Sequence, residues 1–141
     1  MSSSSTTSLK GLSVLLVEDE ILIALDAQAM LEEAGAANVE IVNKAVNGLR
    51  LISETPPDAA VLDFNLGSGT SLSIADELAA RGIPYIFTTG YAGQIDLPRR
   101  HIHMPVVEKP YTAEWLIAGL IAALERRGDP DMENKIGRVD V

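Results

Sequence analysis

The chain has 141 residues, 47% hydrophobic and 22% charged, with 11 basic against 20 acidic side chains and a formal charge of −9. That balance argues against nucleic-acid binding and against docking on anionic membranes, both of which need basic surface, while length and composition suit one globular domain with a sizeable core. There is no cysteine, which excludes disulfides, thiolate metal sites and a cysteine nucleophile and fits a reducing cytoplasm; no apolar run approaches the roughly 20 residues that cross a bilayer.

Residues 1–10 are rich in Ser and Thr, with neither a charged n-region nor an apolar h-region, and read as a flexible leader. A domain over 11–126 follows, in which strand-like and helix-like segments alternate. Leu12 to Val17 reads as the first strand, in which Val14 to Val17 is a short continuous apolar run, the mark of a strand buried on both faces. Glu20 to Glu33 is long enough for a helix, with Ile21, Leu25, Gln28, Ala29 and Leu31 near a 3.6-residue period and a stop at Ala34-Gly35. Val39 to Val42 reads as a second strand. Lys44 to Ser53 reads as a helix carrying Val46, Leu49 and Ile52, stopped before Pro56-Pro57. Asp58 to Phe64 is a third strand. Ser68 to Ser73 offers N-caps for a helix to about Arg81, which Gly82 ends. Ile83 to Thr88 is a fourth strand, with Pro84 near its start, where a missing donor is tolerated. Tyr91 to His103 is irregular, with at most a short helix. Met104 to Val107 is a fifth strand, and Thr112 caps a last helix to about Arg126. Residues 127–141 read as a polar tail. The order predicts an α/β fold: a (βα)5 doubly wound, parallel five-stranded sheet with helices on both faces.

Ligand sites in such sheets lie beyond the carboxyl ends of the strands. The first strand ends in Glu18-Asp19 and the third in Asp63. Carboxylates gathered at one edge repel unless a cation neutralises them, and a hard divalent ion with oxygen ligands, magnesium above all, suits them. The fourth strand is followed by a hydroxyl, in Thr88-Thr89-Gly90, and the fifth by an ammonium, in Glu108-Lys109-Pro110. Acids, a hydroxyl and a lysine form the set that binds and transfers a phosphoryl group.

With these residues in this order, the chain resembles the response-regulator receiver domain of bacterial two-component signalling, over about Leu12 to Leu124. The resemblance implies a flavodoxin-like receiver fold in which Asp63 is the phosphoacceptor. Glu18, Asp19 and Asp63 would hold Mg2+ with the backbone carbonyl of Asn65. Thr89 and Lys109 would engage the phosphoryl group, and a cis peptide would precede Pro110. It also implies a histidine kinase or phosphotransfer protein as donor, a downstream target protein, signalling by protein contact or service as a phosphate sink, and no turnover of external substrates. A homodimer through the short helix before the fifth strand, that strand and the last helix is a further expectation. Two positions depart from the family. Val106 stands where an aromatic switch residue is usual, and Gly67 where proline is usual, which suggests a looser loop. Phe87-Thr88-Thr89-Gly90-Tyr91 is similar to the Phe-Ala-Thr-Gly-Tyr signature of an alphaproteobacterial subclass paired with kinases of the HWE or related type, in which Tyr91 would take over part of the switching.

Other features read more plainly. Glu20 is a first-turn acid, and Thr88 a β-branched strand residue. The small residues of 67–71 form a turn and cap, since the lysine and spacing of a P-loop are missing. His101 and His103, with no third ligand nearby, are expected at the surface. Trp115, Leu116, Leu120 and Leu124 are expected to form the core face of the last helix, with Ile117 and Ile121 beside them. Two other functions fit the acids: a small phosphatase or phosphotransferase with an aspartate nucleophile, against which stands the single acid in Asp63-Phe64-Asn65, and an interaction module that needs no phosphate.

Overall fold

The structure, a computed structural model, describes residues 9–67, 69–90 and 97–127. Five parallel strands form one sheet: β1 (Ser13–Val17), β2 (Asn38–Val42), β3 (Ala59–Asp63), β4 (Tyr85–Thr89) and β5 (Val106–Glu108), in the order β2-β1-β3-β4-β5. Four α-helices are described: α1 (Ile21–Glu33), α2 (Ala45–Glu54), α3 (Leu72–Ala80) and α4 (Ala113–Arg127). Between β4 and β5 the described chain holds a single 3-10 turn, Arg99–His101. This is the doubly wound, flavodoxin-like α/β order.

Alternation along the strands divides the core into two layers. Val14 and Leu16 of β1, with Val61, Ile86 and Val107, pack against Ala24, Ala27 and Leu31 of α1 and Leu116, Leu120 and Ala123 of α4. Leu15 and Val17, with Leu62 and Phe87, pack against Ile52 of α2 and Ile74, Ala75 and Leu78 of α3. Each fully buried aliphatic side chain contributes about 1.5–3 kcal/mol, so β1, β3 and β4 hold both layers. Leu9 is also wholly buried, while Gly11 donates to the Gly35 carbonyl at 3.1 Å. The core therefore begins inside the expected leader, because a large apolar side chain there finds a place beside α1.

Three helix faces differ from expectation. On α1 the buried stripe is Ala24, Ala27 and Leu31, whereas Ile21, Leu22 and Leu25 are exposed; small residues bring this helix close to the sheet and turn its large ones outward. On α2 Val46 is exposed and Gly48 is buried. On α4 Leu116, Leu120 and Ala123 face the core, and Trp115 is 61% exposed. α4 lies so close to β5 that a Cβ on Gly119 would sit 2.9 Å from Val107 Cγ2. Thr112 caps α4 as expected, its hydroxyl accepting the Trp115 N–H at 3.1 Å.

Candidate functional site

β1 pairs with both β2 and β3, so the strand order reverses at β1 and a crevice opens beyond the carboxyl ends of β1 and β3. Glu18, just past β1, is 3% exposed, and Asp63, the last residue of β3, is 5% exposed. Asp19 stands beside them at the surface, and one carboxylate oxygen from each of the three acids lies within 4.8 Å of the others.

Lys109 closes the cluster from the loop after β5. Its Nζ is 3.1 Å from Glu18 Oε1 and 3.2 Å from Asp63 Oδ2. The lysine backbone is fixed by its N–H donating to the Thr89 carbonyl at 2.7 Å. The Lys109-Pro110 peptide is cis. The other Glu18 oxygen accepts the Glu20 N–H at 3.1 Å, and the Glu18 N–H donates to the Val42 carbonyl at 3.0 Å. Glu18 is thus held by three elements and Asp63 by strand and lysine.

One ammonium faces three carboxyls. Burial, then the charge of Glu18, pushes the Asp63 carboxyl up to about 7, although Lys109 pulls the other way. Burial opposes the Lys109 charge, but the carboxylates of Glu18 and Asp63 outweigh it and hold the ammonium above its ordinary range. Tyr111 is pushed up to about 12 by burial, with Glu18, Asp26 and Asp63 adding to it.

The donor set fits a hard divalent cation. It is all oxygen, and opposite ligands on magnesium lie about 4.2 Å apart, a spacing these three oxygens allow. The following loop leaves room for it. Leu66 N–H donates to the Gly69 carbonyl at 2.8 Å, Asn65 and Thr70 form an antiparallel bridge, and Gly67 has φ +79°. Proline, fixed near −65°, cannot take that conformation. A Cβ at Gly67 would lie 3.0 Å from Asp19 Oδ2. Ser71 stands at the N-cap of α3 without capping it by its side chain; Thr70 Oγ1 accepts the Leu72 N–H instead, at 3.3 Å.

Thr89 is buried at the end of β4. Thr88 pairs in register with Asp63, and its carbonyl accepts the Phe64 N–H at 2.9 Å. Asn65 is exposed in the loop beyond Asp63, and Glu20 forms no side-chain cap on α1. Val106, paired with Phe87, is 43% exposed. Tyr91 lies outside the described residues.

His101 is a correction. Its ring is wholly buried, with Nδ1 hydrogen-bonded to the Tyr85 hydroxyl at 2.5 Å and Nε2 to Asp76 Oδ1 at 2.7 Å. Its partners are 16 and 25 residues away, so no local spacing could have revealed them. His103 is half-buried.

No family model matches the chain. The sensory transduction protein RegX3 of Mycobacterium tuberculosis is 31% identical over 131 residues, covering 89% of this chain and 56% of RegX3. The CheY-like response regulator receiver domain from Methylobacillus flagellatus has the same fold, with a TM-score of 0.67 at 22% identity over 76% of this chain and 93% of that one. SdrG from Sphingomonas melonis Fr1 is 36% identical, with a TM-score of 0.69, over 83% of this chain and 97% of SdrG. The chain belongs to the response-regulator receiver family. Receivers belong to two-component signalling. The chain spans about half the length of the curated relatives it matches. No described helix is long and apolar enough to cross a membrane.

Proposed function

We propose that this receiver accepts a phosphoryl group on Asp63 from a histidine kinase, of the HWE or related type, or from a phosphotransfer protein. The observation that carries the reading is the buried Asp63 carboxylate, 3.2 Å from the Lys109 ammonium and within 4.8 Å of acid oxygens on Glu18 and Asp19. Glu18, Asp19, Asp63 and the Asn65 carbonyl would hold Mg2+, which when bound neutralises charge on the phosphoryl oxygens. An Asp63 oxygen attacks the phosphorus of a phosphohistidine. The new O–P bond forms as the P–N bond breaks, and the departing imidazole nitrogen takes a proton. Lys109, freed from part of its pairing with Asp63, turns to the new phosphoryl oxygens, and the Thr89 hydroxyl donates to another.

The product is read by protein contact in the cytoplasm, or the protein serves as a phosphate sink. It turns over no external substrate. The exposed Val106 and Trp115, which line one cleft with Glu108 and Ala118, support a partner or second copy docking on β5 and α4. The test is phosphorylation by a small phosphodonor with magnesium, followed by mass. The wild type is expected to gain one phosphoryl group, and Asp63→Asn none. Labelling of Asp63→Asn at the wild-type rate overturns the assignment.

A further inference from the structure

The buried His101 belongs to an array that runs out to the surface at Asp76 and Arg100 and that the proposed chemistry does not use. Arg100 grips Asp76 with two hydrogen bonds, Nε to Oδ1 at 2.6 Å and the second to Oδ2 at 3.1 Å. Asp76 then meets His101, and His101 meets Tyr85. The Arg100 hydrogen bonds hold the Asp76 carboxyl below its ordinary range, so the carboxylate accepts and His101 Nε2 carries a proton. In the uncharged ring Nδ1 then accepts the Tyr85 O–H, a single tautomer with every group satisfied. The array fastens residues 97–105, which lead into β5, onto α3 through Asp76 and onto β4 through Tyr85. Arg126 of α4 adds a third tie, donating to the His103 carbonyl at 2.9 Å.

The array also reaches the acid site. Phe64 follows Asp63 directly. Its ring meets Phe87 edge-on at 5.9 Å, and the Phe87 ring meets His101 edge-on at 6.0 Å. Tyr85 touches both Phe87 and His101, at 5.8 and 5.6 Å. A single ring, Phe87, thus stands between the neighbour of the acceptor and the buried histidine. β4 itself carries Tyr85 at its first residue and Thr89 at its last. Close-packed rings do not deform continuously; they exchange one arrangement for another.

We propose that Tyr85, His101 and Asp76 form a latch on residues 97–105 ahead of β5, released through Phe87 when a phosphoryl group occupies Asp63. This inference rests on the phosphoacceptor reading above. It supplies a route to the segment ahead of β5 in a receiver with valine at 106, where the aromatic switch is absent. Linkage makes it reciprocal: if occupancy opens the latch, opening the latch favours occupancy by the same factor.

The test uses the isotope-labelled full chain with magnesium and beryllofluoride, a phosphoryl mimic. Fluorine resonances report the bound mimic, and the His101 ring resonances report the latch. Binding is expected to shift the ring signals and to accelerate amide exchange over 101–104. Tyr85→Phe, which keeps the ring and removes one hydrogen bond, is expected to bind the mimic about two- to tenfold more tightly, the equivalent of one net hydrogen bond. Phe87→Leu is expected to keep binding and lose most of the His101 shift. Bound mimic with an unmoved His101 ring, or unchanged affinity in Tyr85→Phe, overturns the latch and leaves the phosphoacceptor reading intact. Absence of any bound mimic overturns both.

Discussion

Two polar clusters lie on this sheet, and they are built on opposite principles. Around Tyr85, His101, Asp76 and Arg100 the charges balance, one carboxylate to one guanidinium, and each described hydrogen-bonding pair closes on another. Around Asp63 they do not. Two buried carboxyls and a third at the surface share one ammonium. The balanced cluster is complete as it stands and serves to hold elements together. The unbalanced one costs the fold stability and is relieved only by a cation or a proton, the condition expected of a site that handles charge.

The comparison can be broken most directly at Asp63. Its folded carboxyl titrates near 7 and its unfolded one near 3.8. Between those values the folded chain binds more protons than the unfolded chain, so ionising this group lowers stability as pH rises. Asp63→Asn should therefore match the wild type near pH 4 and exceed it by on the order of 4 kcal/mol at pH 8 in chelator. Magnesium should close that gap. Urea melts of the two proteins across pH measure it, and a constant difference would mean that the acids are already compensated.

Lys109→Met removes the only cation among the described groups that pair with Glu18 and Asp63. A loss of about 3 kcal/mol is expected at pH 8, as for a broken buried ion pair, shrinking toward pH 5 as Asp63 takes up a proton. A loss independent of pH would point to packing instead. In the balanced cluster, Tyr85→Phe should cost about 1 kcal/mol, the net worth of a hydrogen bond. The exposed pair of Arg81 and Glu77, 2.7 Å apart at the end of α3, gives the smallest effect. Glu77→Ala should change stability by less than about 0.5 kcal/mol.

The same contrast explains what could be read from the sequence. Strands buried on both faces announce themselves as unbroken apolar runs, and an acid at the end of such a run is conspicuous. The positions of Glu18, Asp63 and Lys109 were therefore legible, and so was the parallel order. Their mutual distances were not, since the sequence fixes no loop geometry. On α1, periodicity favoured Ile21 and Leu25, but close approach to the sheet selected Ala24 and Ala27. On α4, adjacent stripes are both apolar, and only the sheet decides that Leu116 turns inward and Trp115 outward. His101 looked solitary because each partner comes from a different element. The Gly67 turn was marked as a departure from proline, yet its left-handed backbone and its nearness to Asp19 needed coordinates.

The missing methyl at Gly119 lets α4 rest directly on Val107, so that helix and edge strand form one packed body. The chain's single tryptophan rides on that body with 61% of its surface in water. The protein therefore carries its own optical gauge: emission and iodide quenching of Trp115 follow any tilt of the sheet's β5 edge or any covering of α4, without a dye or a label.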